Sequence, residues 1–110
     1  MSSKEIAIQY LEGFSEGNID KIRNLLAEGF EFDGPFYSGK SATDSIRTLE
    51  SDPPDRSSYK IISIFEGGDE VCIIYKFEKK GVAAHMAQLF KIDSGKISKS
   101  TLIFDSKQFA

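Results

Sequence analysis

Few side chains in this sequence could carry out chemistry, and their spacing excludes several familiar kinds of site. His85 is the one histidine and Cys72 the one cysteine among 110 residues, and they form no cluster with the spacing of a zinc site. A Gly-x-Ser-x-Gly motif is absent, as are the glycine patterns of a phosphate loop and of a dinucleotide site. We therefore expect no acyl-transfer triad, no metal and no cofactor.

Three polar residues lie in apolar or aromatic surroundings and are the candidates for contact with a ligand. Tyr10 falls on the apolar stripe of a predicted helix, and Gln88 falls on a strand face that is otherwise apolar. A buried amide must be satisfied by protein, water or ligand, and a tyrosine ring in a core usually brings its hydroxyl to a partner at the edge. Asp33 is either a functional carboxylate or a turn-forming residue before Gly34.

The segment of residues 29–40, GFEFDGPFYSGK, separates helical patterns from strand patterns. Its four aromatic rings, three glycines and one proline predict a short strand and a wide turn at the mouth of a pocket. Neighbouring strand residues point to opposite faces, so Asp33 points away from the pocket if Phe32 points into it. A bulge at Gly34 and Pro35 would turn Asp33 back, but the alternation favours Phe32.

Hydrophobic periodicity predicts three helices in the first half of the chain. The first covers residues 4–16, with Ser2 or Ser3 as its N-terminal cap, and ends near Gly17, which tolerates the left-handed conformation of a C-terminal cap. Asn18 caps the second helix, which runs to Gly29, and Ser41 caps the third. The proline-containing segment 51–55 then breaks the third helix.

The second half of the chain has the period of two that is typical of strands. Four strands are predicted, over residues 59–65, 71–78, 82–92 and 97–104. The turns between them are short enough for hairpins, so these strands form an antiparallel meander. Helices followed by a meander indicate an α+β fold in which the helices cover one face of the sheet. A strongly twisted sheet that curls around helices leaves a cone-shaped hollow, where a ligand site is expected.

Length and composition indicate one domain, over residues 1–110, with no nucleic-acid or membrane partner. The net charge of −3 comes from mixed signs along the chain, which disfavours nucleic acid and other anionic partners. Neither an apolar signal core nor an apolar run long enough to span a membrane is present. A single cysteine excludes an internal disulfide and fits a reducing compartment, so we expect a cytoplasmic protein.

The order of these elements resembles the nuclear-transport-factor-2-like superfamily, and its SnoaL-like branch most of all. The resemblance extends from about Ile6 to Asp105. It rests on Tyr10 with Phe14, on Gly17-Asn18-Ile19-Asp20, on Gly39-Lys40 before the third helix, and on Asp93-Ser94-Gly95-Lys96-Ile97 late in the sheet. It implies three N-terminal helices packed on a strongly curved antiparallel sheet, the cystatin-like cone, with an internal pocket.

The superfamily includes ketosteroid isomerase, and the resemblance implies a comparison with its three catalytic groups. That enzyme uses a carboxylate base, a tyrosine donor and a neutral acid that stabilises an enolate. Tyr10 matches the tyrosine, whereas the base position falls on Gly34, next to Asp33, and the acid position falls on Gln88. An amide donates a hydrogen bond but does not transfer a proton as an acid does. The comparison implies Asp33 as base and Tyr10 as oxyanion donor in a cofactor-independent isomerase, cyclase or dehydratase.

Our leading functional hypothesis is a protein that binds a small apolar or aromatic molecule in the cone. The predicted lining is Tyr10, Phe14, Phe32, Phe36, Tyr37, Tyr75, Met86, Gln88, Phe90, Leu102 and Phe104. The isomerase, cyclase or dehydratase remains an alternative, and so does a non-catalytic interaction module. We also predict a homodimer through the outer sheet face, where small and apolar side chains accompany the histidine in the row Ala83, His85, Ala87 and Leu89.

Overall fold

A computed structural model describes residues 1–52 and 57–109, and within them it shows three helices and a six-stranded sheet. The helices are α1 (Ser3–Glu16), α2 (Ile19–Leu25) and α3 (Ala42–Ser51). The strands are β1 (Leu26–Gly34), β2 (Tyr37–Ser41), β3 (Ser57–Gly67), β4 (Glu70–Lys79), β5 (Val82–Asp93) and β6 (Lys96–Ile103), and a short 3-10 helix covers Ser106–Phe109. Of the segment predicted to break α3, residues 53–55 lie outside the described residues.

The predicted helix caps are confirmed. The Ser2 side chain accepts a hydrogen bond from the Glu5 backbone N–H, and the Glu5 carboxylate accepts one from the Ser2 backbone N–H, which forms a capping box at the start of α1. Gly17 ends α1 in the left-handed conformation, with φ of 69°. The Asn18 side chain caps α2, and the Ser41 side chain caps α3.

The end of α2 differs from the prediction, because the helix stops at Leu25 and does not reach Gly29. From Leu26 the backbone is extended and enters β1, whose first pairing in the sheet joins Leu26 to Ile97 of β6. Pairing with a distant strand therefore overrides the local helical pattern over residues 26–29. Gly29 lies inside the strand.

The sheet has the strand order β2-β1-β6-β5-β4-β3. The predicted meander is confirmed, because β3, β4, β5 and β6 pair antiparallel in sequence order. Two features were not predicted: β1 pairs with β6 in parallel, and residues 37–41 form the edge strand β2, where we had predicted only a turn. The strands β2 and β3 lie at opposite edges, so the sheet is open. Bulges in β1, in β3 and between β5 and β6 bend it into a cone.

The helices cover the inner face of this curved sheet, as the α+β prediction requires. Along β5 every second side chain is buried, and Phe90 is fully enclosed. On the helical side, Ile6, Ala7 and Leu11 of α1 are buried against the sheet. The core is densest at the narrow end of the cone, around Ile97 and Val71, and the wide end is left for the site.

Candidate functional site

A cavity of about 310 Å³ lies between α1, α3, the β1–β2 hairpin and the inner face of the sheet. Its walls include every predicted lining residue except Phe90, that is Tyr10, Phe14, Phe32, Phe36, Tyr37, Tyr75, Met86, Gln88, Leu102 and Phe104. The volume falls at the lower end of the range of small-molecule sites. The tertiary structure therefore brings these residues from six different elements to one place.

Phe90 lies beneath the cavity and not on its wall. Its ring is fully buried and meets the Tyr10 ring edge to face, with centroids 5.4 Å apart. The alternation along β5 placed Phe90 on the correct face of the sheet, but the taper of the cone encloses this end of the strand. Phe90 thus supports the floor of the cavity through its contact with Tyr10.

Several lining residues were missed by sequence reasoning. They are Leu11, Ser15, Gly34, Pro35, Lys40, Ser45, Thr48, Leu49, Asp52, Tyr59, Phe77 and Lys79. A signal for two groups of them was present in the sequence. Phe77 follows Tyr75 at strand spacing, and Ser45, Thr48 and Leu49 share one face of a helix at spacings of three and four. The charged residues on the wall carried no such signal.

A chain of hydrogen bonds between side chains crosses the sheet beneath the cavity. The Tyr75 hydroxyl donates to Oε1 of Gln88 at 2.8 Å, and Nε2 of Gln88 donates to Oγ of Ser100, also at 2.8 Å. These residues lie on three adjacent strands as diagonal neighbours, which places their side chains within reach of one another. The buried Gln88 amide is therefore satisfied by protein groups on both its oxygen and its nitrogen.

Tyr10 is the phenol that this network leaves uncommitted. Within the described part of the chain, its hydroxyl has no hydrogen-bond partner, although the ring is buried and lines the cavity. Burial raises the pKa of Tyr10 to about 12, and burial followed by the neighbouring Tyr10 raises the pKa of Tyr75. Both phenols are therefore neutral at physiological pH, and Tyr10 can donate its proton in a hydrogen bond to an oxygen in the cavity.

Asp33 lies at a bulge and outside the cavity lining. The register of β1 against β2 shifts between Phe32 and Gly34, and both of these neighbours line the cavity. One Asp33 carboxylate oxygen accepts a hydrogen bond of 2.7 Å from the Gly39 backbone N–H, and the other lies 3.6 Å from the Lys99 ammonium. A bulge is therefore present in β1, but it does not turn Asp33 into the cavity, and the Asp33 carboxylate instead holds the β1–β2 turn through Gly39.

A family model described as a SnoaL-like domain matches residues 7–100 of this chain. The chain belongs to the SnoaL-like family. The predicted resemblance is confirmed, and so is the cone fold. None of the curated proteins matches the chain closely enough to count as a relative.

Solved structures show the same fold at low sequence identity. An NTF2-like protein of unknown function from Cytophaga hutchinsonii superposes with a TM-score of 0.87 at 20% identity, over 99% of this chain and 95% of that one. An LEH-like epoxide hydrolase from M. tuberculosis gives 0.81 at 14% identity, over 96% and 84% of the two chains. A SnoaL-like protein of unknown function from Burkholderia thailandensis gives 0.71 at 19% identity, over 94% and 93%.

The described part of the SnoaL-like chain holds neither a metal-ligand cluster nor a membrane-spanning helix. Within residues 1–52 and 57–109, no group of three or more His, Cys, Asp or Glu side chains is arranged to hold a metal ion. In the same part of the chain, no helix has the length and apolar character needed to cross a membrane.

The hydrogen-bond chain can be tested by a double-mutant cycle in urea unfolding. Tyr75→Phe leaves Oε1 of Gln88 buried without its donor, so we expect a loss of about 1–3 kcal/mol in the free energy of unfolding. Gln88→Met should cost a similar amount, and the double variant less than the sum, because the unpaired groups are removed together. Tyr37→Phe, which removes an exposed hydroxyl, is the control with little expected effect. If the losses of unfolding free energy in the two single variants add up to the loss in the double variant, Tyr75 and Gln88 are not coupled.

The hydrogen bond from the Gly39 backbone N–H to the Asp33 carboxylate can be tested by amide hydrogen exchange of Gly39. Asp33→Ala removes the acceptor, so we expect exchange at this amide to accelerate by about tenfold or more. Asp33→Asn keeps a carbonyl oxygen as acceptor and should preserve most of the protection. Asp105→Ala removes a carboxylate that bonds the Lys107 backbone and serves as the control. Unchanged exchange of Gly39 in Asp33→Ala would show that the carboxylate does not hold the turn.

Proposed function

We propose that this SnoaL-like protein binds a small apolar or aromatic molecule in the cavity and that Tyr10 donates a hydrogen bond to an oxygen of that molecule. The observation that carries the proposal is an uncommitted phenol in the wall of a largely apolar cavity. Ligand sites in proteins commonly combine such walls with a few polar groups that fix orientation. Because its pKa is raised, Tyr10 remains a donor throughout the physiological range.

The walls favour a ligand with a flat or bulky apolar body. Phe14 meets the Phe77 ring edge to face, with centroids 6.0 Å apart, and Phe36 meets Phe104 in the same way at 5.9 Å. All four of these rings line the cavity. An aromatic ligand gains offset or edge contacts with these rings in addition to the burial of its surface.

Binding is a better supported function than catalysis by an Asp33 base. A general base must reach the proton that it abstracts, directly or through one water. The Asp33 carboxylate is bonded to Gly39 and lies beside Lys99, whereas Gly34, at the position of the isomerase base, lines the cavity without a side chain. A Cβ atom at Gly34 would also lie 3.1 Å from the Phe32 ring.

The solved relatives leave the reaction class open. One of them is an LEH-like epoxide hydrolase and others are proteins of unknown function, all at 20% identity or less. Likeness at this level shows a common fold, and one fold hosts many functions. An isomerase, cyclase or dehydratase activity would need a proton acceptor other than Asp33, so we place the binding function first.

Binding in the cavity can be tested with the neutral fluorescent probe N-phenyl-1-naphthylamine. The wild-type protein should bind the probe with enhanced emission, and Leu102→Trp should abolish this because the larger ring fills the cavity. Leu89→Trp adds the same ring to the outer face and should bind the probe as the wild type does. Circular dichroism establishes that both variants are folded. Equal binding by the two variants would place the probe outside the cavity and count against the proposal.

We further propose that a second copy of this chain covers the outer face of the sheet. Ala83, His85 and Leu89 are exposed along β5, and Ala87 is half-buried, at positions that alternate with the buried ones. The apolar surface extends to Ile103, which is paired with Ala87 and 64% exposed. Large contiguous apolar surfaces of this kind mark interfaces, and a two-fold axis would match the patch to itself.

The dimer can be tested by sedimentation at micromolar concentrations. Leu89→Lys with Ile103→Lys places two like charges in the patch and should convert dimers to monomers. Phe36→Lys changes an equally exposed aromatic residue, 57% exposed, at the cavity mouth and should leave the dimer intact. A wild-type protein that sediments as a monomer would remove this part of the proposal and leave ligand binding untouched.

A further inference from the structure

We infer that the ligand carries a carboxylate and that Lys40 binds it at the mouth of the cavity. This inference rests on the proposed binding function and adds a charge to the ligand. Lys40 of β2 pairs with Phe32 of β1, and cross-strand partners share one face of a sheet. The lysine is therefore directed to the inner face with Phe32, where it is half-buried and lines the cavity.

The contacts of the Lys40 ammonium with the described residues leave at least one of its N–H donors open. An ammonium has three hydrogens and no acceptor. One hydrogen bond goes to Oγ1 of Thr48, which itself donates to the Asp44 carbonyl at 3.0 Å and so accepts from the lysine. The ammonium also lies 3.6 Å from the centre of the Tyr37 ring, in the geometry of a cation–π contact.

No carboxylate of the described residues neutralises this lysine. The ion pairs in that part of the chain involve Lys21, Arg23, Arg47 and Lys99, and none of them includes Lys40. A partly desolvated cation with an open donor position attracts an anion more strongly than an exposed lysine does. The Tyr37 ring and Thr48 fix the ammonium in place, so a ligand does not have to order it.

The same wall offers an unsatisfied hydroxyl. Ser45 precedes Thr48 by three residues on α3, and both line the cavity. Oγ of Ser45 is buried and has no hydrogen-bond partner within the described chain. Buried hydroxyls are normally satisfied, and an oxygen of a ligand in the cavity would satisfy this one. The polar part of the wall thus supplies one ammonium and one hydroxyl donor.

This donor set matches a carboxylate better than a phosphate. A carboxylate has two oxygens and one negative charge, whereas a phosphate group presents three acceptor oxygens and up to two charges. Lys79 also lines the cavity and Asp52 lines it with the opposite sign, so the lining carries two lysines against one aspartate. The local charge is therefore positive although the whole chain has a net charge of −3.

A matched pair of probes separates the charge from the apolar body. We compare 1-naphthaleneacetic acid with its neutral amide, 1-naphthaleneacetamide, by displacement of N-phenyl-1-naphthylamine from the full chain. The wild-type protein should bind the acid more tightly than the amide. Lys40→Met should lower the affinity for the acid by about tenfold, which corresponds to the loss of one charge-assisted hydrogen bond, and leave the affinity for the amide unchanged. Lys91→Met, on the outer face, is the control and should bind both probes as the wild type does.

Two further variants give readouts that a purely structural role for Lys40 would not move. Lys40→Arg keeps the charge and should retain the preference for the acid, and Asp52→Asn removes the opposing charge and should increase it. Raising the salt concentration should lower the affinity for the acid and leave the affinity for the amide unchanged. If the wild-type protein binds the acid and the amide equally tightly, or binds neither measurably, the inference is wrong. In that case, binding of the neutral probe would still support the proposed function. Parallel loss of both probes in Lys40→Met would also overturn it, and failure of the neutral probe to bind would remove both proposals.

Discussion

The parallel pairing of β1 with β6 is the contact on which the site depends. It places Phe32 beside Ser100, and β6 is the strand that attaches β1 to the meander. The chain between them carries α3 and four more strands, so this pairing closes a long loop and has to overcome the entropy cost of closing it. The hydrophobic burial of Phe30 and Ile97 on the same inner side offsets that cost. Without the pairing, the β1–β2 hairpin would have no fixed position over the cavity.

Alternation along β1 and β2 then decides which side chains reach the cavity. Phe32 and Lys40 are partners on the inner side, whereas Asp33 turns outward to the Gly39 amide and to Lys99. The carboxylate considered as a general base therefore has a structural role, and Lys40, which the sequence did not single out as a ligand contact, lies on the cavity wall. Phe32 and Asp33 are neighbours in β1 but have different roles, because successive side chains of a strand point to opposite faces.

The polar groups of the cavity divide into those already satisfied and those still open. Gln88 stands between Tyr75 and Ser100 and orders the sheet beneath the cavity. Tyr10 on one side and Ser45 on the other have no such partners among the described residues. The open hydroxyls at the cavity thus lie on helices α1 and α3, whereas Tyr75, Gln88 and Ser100 of the sheet are paired with one another.

From the sequence alone came the α+β class, the helix caps at Ser2 or Ser3, Gly17, Asn18 and Ser41, the meander, and the buried faces of β1, β4 and β5. These are local properties, determined by periodicity and by the backbone preferences of single residues. The tertiary structure decided the end of α2, the edge strand β2, the enclosure of Phe90 and the positions of Asp33 and Lys40. Each of these depends on a partner distant in sequence, on a bulge or on the taper of the cone. A local pattern carries no information about such contacts, since many partners are compatible with the same alternation.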